Sequence, residues 1–331
     1  MKRTGDNMAV PHNDAVEALL EKAAPRPAPP GSAEQDIRAA VRTEWTRVTT
    51  QRRRRRMTVR LAMAASVTLV LAFSLASLRE TGIVPVEVAS IDKSLGTVYL
   101  QSGGSVQSEA IDTSSILSGQ ILTTGTSSTA GLKWLNGGSL RIDGNTRIEF
   151  VAGNEVYLHE GKIYFDSFGA TPGNDFSIRS AHGIVSHVGT QYMTESNAAS
   201  LIVSVREGEV AIDGTYHDQK VFEGQRVQMT GSAQPSVTNT SGVGAEWQWA
   251  ETVSPNISVD GMSVFEFLQW VGRETGHAVQ FKSVTAETLA RNSRLKGTVN
   301  AEPRTELRLR MLTVDLEARF DSEGSAIIVS D

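Results

Sequence analysis

The sequence predicts three pieces in order: a single transmembrane helix, an all-β domain and a small α+β domain. Three observations lead there. An uncharged run, residues 61–78, follows five consecutive arginines, Arg52 to Arg56. From residue 84 to about residue 229, apolar and polar residues alternate in short runs divided by turn residues. Beyond residue 246 the pattern changes to helical stripes interleaved with short strands. The expected division is a cytoplasmic segment 1–56, a membrane span 57–78, a β domain 84–229, a linker 230–245 and an α+β domain 246–331.

As a helix, residues 61–78 would extend about 27 Å, close to the roughly 30 Å hydrocarbon core of a bilayer. Cationic flanks stay on the cytoplasmic side, so the amino terminus is expected inside and the two later domains outside. The expected location is a bacterial inner membrane facing a periplasm. Ser74-Leu75-Ala76 could serve as a signal-peptide cleavage site, but such a peptide sits at the extreme amino terminus.

Charge agrees with that sidedness. Residues 1–60 hold 13 basic and 7 acidic side chains, a net +6, and the remainder holds 19 and 30, a net −11. An acidic large segment argues against nucleic acid as its partner. Beside an apolar run, the arginines read more simply as an orientation signal and a contact for anionic lipid. With no cysteine, disulfides, thiolate chemistry and cysteine zinc sites are excluded.

In the amino-terminal segment, residues 23–31 (AAPRPAPPG) interrupt regular structure. Ile37, Val41, Trp45 and Val48 then recur at helical spacing and form one apolar stripe. A helix this small cannot bury its own stripe, so a partner or a membrane surface is expected to cover it.

The β domain contains runs such as GTVYLQ, AGLKWL, RIEFV and EVYLHEGKIYF, separated by GG, NGG, DGN and AGN. Many short strands with regular turns suit a sandwich, a barrel or a β-solenoid. Glutamate precedes glycine at Glu160-Gly161, Glu207-Gly208 and Glu223-Gly224, which reads as a recurring turn unit.

This stretch resembles the FecR domain family, the periplasmic part of transmembrane sigma-factor regulators. The resemblance rests on Gly119-Gln-Ile-Leu-Thr-Thr-Gly125, on Leu135 to Ile142, on Val156 to Phe165, on Ile184 to Tyr192 with its Val-Gly-Thr, on Val203 to Val210 and on Gly224-Gln225. Asn136-Gly137-Gly138 stands where the family usually has Asp-Gly-Ser. The resemblance implies a β-solenoid-like wrap. Some FecR-type regulators cleave themselves at the Gly-Thr bond of this motif, which would be Gly189-Thr190 here. The threonine hydroxyl can attack the preceding carbonyl, and glycine before the bond permits a strained backbone. The alternative is a structural turn in which Thr190 caps a strand.

After the linker, residues 263–275 predict a helix with Val264, Phe267, Leu268 and Val271 inward and Gly276 as its stop. A strand over 278–281, a strand over 295–299, a helix over 304–314 and a hairpin of 318–320 with 326–329 complete the reading. The features ISVDGMSVFEFLQWVGRETG and Lys-Gly-Thr-Val resemble the STN fold of secretins and signalling TonB-dependent receptors. Ala326, Ile327, Ile328 and Val329 are expected to form an edge strand open to a partner strand.

Nothing in the chain points to an enzyme or a cofactor. His182 and His187 lie on opposite faces of a regular strand, and no third ligand accompanies them. Ser186 and His187 are neighbours whose side chains point apart. No phosphate-cradling glycine loop is present. The resemblance implies a regulator with a sigma factor on the cytoplasmic side and the signalling domain of a TonB-dependent receptor on the periplasmic side. The segment 1–56 is smaller than the helical domain with which family members commonly begin. The alternative is an envelope-anchored binding or scaffold protein without transcriptional output.

Overall fold

The structure is a computed structural model, and it describes residues 21–22, 36, 39–43, 85–103, 108–109, 114–168, 176–299, 301–321 and 324–331. The chain divides into two units at residue 83. The first unit contains a described helical stretch at residues 39–43. The expected span 57–78 lies outside the described residues, and among the described residues no helix is long and apolar enough to cross a membrane. The expected fold of a single transmembrane helix joined to a β-solenoid is therefore not supported.

Among the described residues, the second unit opens with fifteen strands in one sheet. They are β1 (Glu87–Leu95), β2 (Val98–Ser102), β3 (Ser108–Glu109), β4 (Ser115–Leu117), β5 (Gln120–Thr124), β6 (Thr129–Trp134), β7 (Ser139–Ile142) and β8 (Arg147–Ala152). Then come β9 (Glu155–Asp166), β10 (Ser177–Ser180), β11 (Gly183–Ser196), β12 (Leu201–Gly214), β13 (Gln219–Phe222), β14 (Gln225–Met229) and β15 (Ser236–Asn239).

Three long strands, β9, β11 and β12, change partners half-way. The first half of β9 pairs with β8 and β10, and the second half with β7 and β11. Likewise β11 pairs with β10 before its bend and β9 after it, while β12 pairs first with β14 and then with β13. The result is two layers that share their long strands in a barrel-like arrangement. Among the described residues, every ladder of this sheet is antiparallel except β9–β10. A solenoid stacks successive coils in parallel, so this pairing overturns the solenoid expectation.

The bends fall at Gly161 in β9, Gly189 in β11 and Gly208 in β12, and Gly224 joins β13 to β14 at the same kind of corner. The Glu-Gly pairs of the sequence mark three of these four corners. At Gly161, φ is +103° and an added Cβ would lie 2.5 Å from Thr146 Cα, so the corner admits only glycine without rearrangement.

One core lies between the layers. Leu122, Leu140, Ile148, Phe150, Phe165 and Tyr192 are among its fully buried members. Phe176 stacks on Phe165 with centroids 4.1 Å apart and meets Trp134 edge-on at 4.9 Å. Such pairs add about 0.5–1.5 kcal/mol beyond area burial.

Residues 230–245, expected as a linker, contain β15, whose four residues pair with β14. Helix α1 (Ala245–Thr252) follows directly. Helices α2 (Val264–Thr275), α3 (Val284–Asn292) and α4 (Pro303–Met311) then pack on a three-stranded sheet of β16 (Ala278–Phe281), β17 (Glu317–Phe320) and β18 (Ala326–Ser330). The α2 boundaries follow the sequence reading. Ser263 and Glu266 form a reciprocal capping box, and Gly276 closes the helix in the left-handed conformation. Residues 295–299 form no strand. They contribute an isolated bridge, Ser258–Thr298, beside a second at Ser263–Arg294. Helix α3 escapes the pattern because only Ala286 and Ala290 of its residues are buried.

The order of the small sheet is β16-β18-β17. The last strand is therefore central, paired in parallel with β16 and antiparallel with β17. The expected open edge at residues 326–329 is closed on both sides.

Candidate functional site at the lobe junction

The β domain and the C-terminal lobe meet through charge held out of water. Strand β7 is buried along its whole length. Leu140 and Ile142 face the core between the layers, so Arg141 points the other way. On that outer face Tyr164 and Met193 pack against Trp247 and Ala250 of α1. Helix α1 thus acts as a plug over β7, β9 and β11.

Arg141 is fully buried and reaches across the junction. Its Nη2 donates to Glu274 Oε2 at 2.6 Å, and its Nη1 donates to the Ala250 carbonyl at 3.0 Å. Arg206 lies beside it, with its guanidinium carbon 4.4 Å from the Trp247 ring and 5.5 Å from the Tyr164 ring. Arg206 Nε donates to the Gly242 carbonyl at 2.8 Å, and Nη1 donates to the Glu274 carbonyl at 3.2 Å. The last turn of α2 therefore presents the Glu274 carbonyl to a cation, where the helix carries partial negative charge.

A third arginine runs in the opposite direction. Arg273, from α2, donates through Nε to Asp166 Oδ2 at 3.2 Å and through Nη1 to Glu207 Oε2 at 2.6 Å. Its Nη2 also pairs with Asp166 Oδ1. Further out, Arg304 of α4 holds Glu251 of α1 with two hydrogen bonds, 2.7 and 3.1 Å.

Burial alone would raise the Asp166 pKa, but the hydrogen bonds and charge of Arg273 outweigh it and hold the carboxylate below its ordinary value. Burial opposes the charge of Arg141, and Glu274 overrides that and raises its pKa. Burial likewise pushes Tyr164 and Tyr192 upward, so both phenols remain neutral. His277 is lowered, first by burial and then by the charge of Arg304.

Gly189-Thr190 lies at the rim of this junction. Gly189 is exposed with φ +57°, and Thr190 is fully buried. The Thr190 N–H donates to Ser167 Oγ at 2.8 Å, and the Ser167 N–H returns a bond to the Thr190 carbonyl at 3.1 Å. Among the described residues, Thr190 Oγ1 has no hydrogen-bond partner. Gln191 follows at once, and its Nε2 donates to Asp166 Oδ2 at 2.9 Å and to the Arg273 carbonyl at 3.3 Å. Gly208, with φ +85°, passes so close that a Cβ there would lie 2.7 Å from the Gly189 carbonyl oxygen. A cleft of about 270 Å³ opens beside the turn, lined by Gln191, Arg206, Glu207, Arg273 and His277 among others.

The comparisons with known proteins address this same stretch. Residues 120–211, from β5 into β12, match the FecR protein family. Over these residues the chain is similar to the FecR family. Both Gly189 and Thr190 lie within the matched FecR region, as do Arg141, Asp166 and Arg206. Two crystal structures of a candidate anti-sigma factor from Parabacteroides distasonis ATCC 8503 are similar to this chain. They share 13% and 12% identity with it at a TM-score of 0.35, covering 63% and 64% of this chain and 97% and 98% of theirs. No curated protein matches the chain.

The other residues singled out in the sequence are scattered. Ala326, Ile327 and Val329 are buried beneath the helices of the lobe or within its sheet. Ile328 alone is half-buried, in an open groove of about 730 Å³ with Gln280, Phe281, Arg319 and Phe320. Val41 is 62% exposed, while Ile37, Trp45 and Val48 lie outside the described residues. His182 bonds the Asn197 carbonyl through Nε2, and His187 packs among Phe165, Phe176 and Tyr192. Among the described residues, no group of three acidic, histidine or cysteine side chains could hold a metal ion.

The junction charges escaped the sequence reading, although one signal was present. Arg141 gave none, since in SLRI it alternates with Leu140 and Ile142 as an exposed side chain would. Glu274 continues the inward stripe of α2, three residues after Val271. A charge on a buried face is a partner-seeking charge.

Proposed function

We propose that this chain is a signalling regulator of a sigma factor, located at the bacterial inner membrane with residues 84–331 in the periplasm. The FecR match over residues 120–211 is the observation that carries the reading. The basic first 60 residues and the acidic remainder support the sidedness. The signalling domain of a TonB-dependent receptor is the proposed periplasmic partner. The open groove on the outer face of the small sheet offers it Ile328 flanked by Gln280 and Arg319, with Lys282 and Asp321 at the rim. Capture of a sigma factor of the extracytoplasmic-function class by residues 1–56, from a lysate of the native host, is the expected result. Recovery of envelope proteins alone would favour a scaffold instead.

We further infer that Gly189-Thr190 is a self-cleavage bond. A left-handed glycine before a buried threonine whose hydroxyl has no hydrogen-bond partner among the described residues favours this over a strand cap. A capping hydroxyl would be engaged with backbone. Purified wild-type chain should run as two fragments that stay together under native conditions. The shared β9–β11 and β11–β12 ladders hold both sides of the break. Thr190→Ala should run as one intact species, because no hydroxyl remains to attack.

A further inference from the structure

If Gly189-Thr190 breaks, a proton must be supplied at its nitrogen, and the structure assigns that task to Ser167. This inference rests on the self-cleavage reading. Thr190 Oγ1 adds to the Gly189 carbonyl carbon, and the bond from that carbon to the Thr190 nitrogen then breaks. The departing nitrogen already carries one hydrogen and must gain a second to leave as an amine. Water afterwards opens the ester, leaving a Gly189 carboxylate and restoring the Thr190 hydroxyl.

Ser167 Oγ lies 2.8 Å from the Thr190 nitrogen. In the resting chain it accepts the Thr190 N–H. Once Thr190 Oγ1 has added to the carbonyl carbon, the nitrogen is no longer an amide and carries a basic lone pair, and the Ser167 hydroxyl turns to give it a proton as the bond breaks. The proton that Thr190 Oγ1 loses as it closes on the carbon passes to the serine, so the serine ends unchanged and the step balances without another reactant. Ser167 therefore touches a reacting atom and counts as a catalytic residue of this cleavage.

The placement of Ser167 is enforced from both sides. Its own N–H is bonded to the Thr190 carbonyl at 3.1 Å, so serine and threonine face each other through two hydrogen bonds. The preceding residue, Asp166, is paired with Gln191 across the β9–β11 ladder. Asp166 also accepts hydrogen bonds from the Phe168 N–H at 2.9 Å and from Arg273. A serine at the end of a strand held this firmly loses little freedom when it acts.

The test follows fragment formation in freshly synthesised chain, with and without hydroxylamine, which traps the ester. Ser167→Ala should slow fragment formation by about 100-fold or more, the range of a general acid. Ser167→Thr, which keeps a hydroxyl on the same backbone, should restore most of the rate. Hydroxylamine should not rescue Ser167→Ala, because the ester does not form. A folded Ser167→Ala chain that cleaves at the wild-type rate overturns the inference and leaves the cleavage reading standing. Rescue of Ser167→Ala by hydroxylamine overturns it too, since the serine would then act only in hydrolysis. An intact wild-type chain overturns both.

Discussion

Arg141→Ala should destabilise residues 84–331 by about 3–5 kcal/mol, the usual cost of removing one member of a buried ion pair. Arg141 and Glu274 are 1% and 5% exposed, so bulk solvent does not screen the charge left behind. The loss leaves the Glu274 carboxylate buried beside the Ala250 carbonyl, and both have lost their donor. The replacement of both residues, Arg141→Met with Glu274→Leu, should recover most of that stability, since apolar isosteres of buried pairs are often neutral or better. Denaturant unfolding of the two variants and wild type checks this. A double variant as unstable as the single one would show that the pair itself, and not the unpaired charge, sets the cost. The pair joins a strand of the β domain to a helix of the C-terminal lobe. The single variant should therefore also split one unfolding transition into two.

Trp247→Ala should cost about 3–5 kcal/mol, the range for truncating a buried aromatic side chain. Trp247 is fully buried, meets Tyr164 edge-on at 6.1 Å and lies under the Arg206 guanidinium. Its indole N–H donates to the Ser241 carbonyl at 2.8 Å. Truncation opens a cavity, removes the aromatic face from a cation and strands that carbonyl. Thermal melting measures the loss. Trp247→Phe should cost less, because it keeps a ring for Arg206. Equal losses in the two variants would assign the effect to the hydrogen bond.

These two positions show what the sequence conceals. The β texture, the capping box at Ser263 and Glu266 and the glycine stop of α2 are local, and each could be read from a few neighbouring residues. Glutamate-glycine pairs were also visible, but not that they are corners where one strand serves two layers. That property depends on ladders such as Glu155–Ser177 and Ser196–Gly161, between residues far apart in the chain. The strand over 295–299 was misread because Leu295 and Val299 are apolar and buried without a ladder to join. Gly189-Thr190 was legible as a motif. Its contact with Ser167 was not, because the two segments are 23 residues apart. The junction arginines were hidden for the same reason, since Arg141 and Glu274 are separated by 133 residues.

The central position of β18 has a consequence for the order of events during synthesis. Among the described residues, strands β16 and β17 share no ladder, and each pairs only with β18. A chain that emerges from the ribosome amino terminus first holds both with unpaired edges until residues 326–330 arrive. The C-terminal lobe cannot be built up strand by strand as it is made. It closes in one late step, and α2, the seat of Arg273 and Glu274, gains its supporting sheet only then. Any chain cut before residue 326 would carry the β domain with an unfinished lobe, a form that cellular proteases can distinguish from one in which the small sheet has closed.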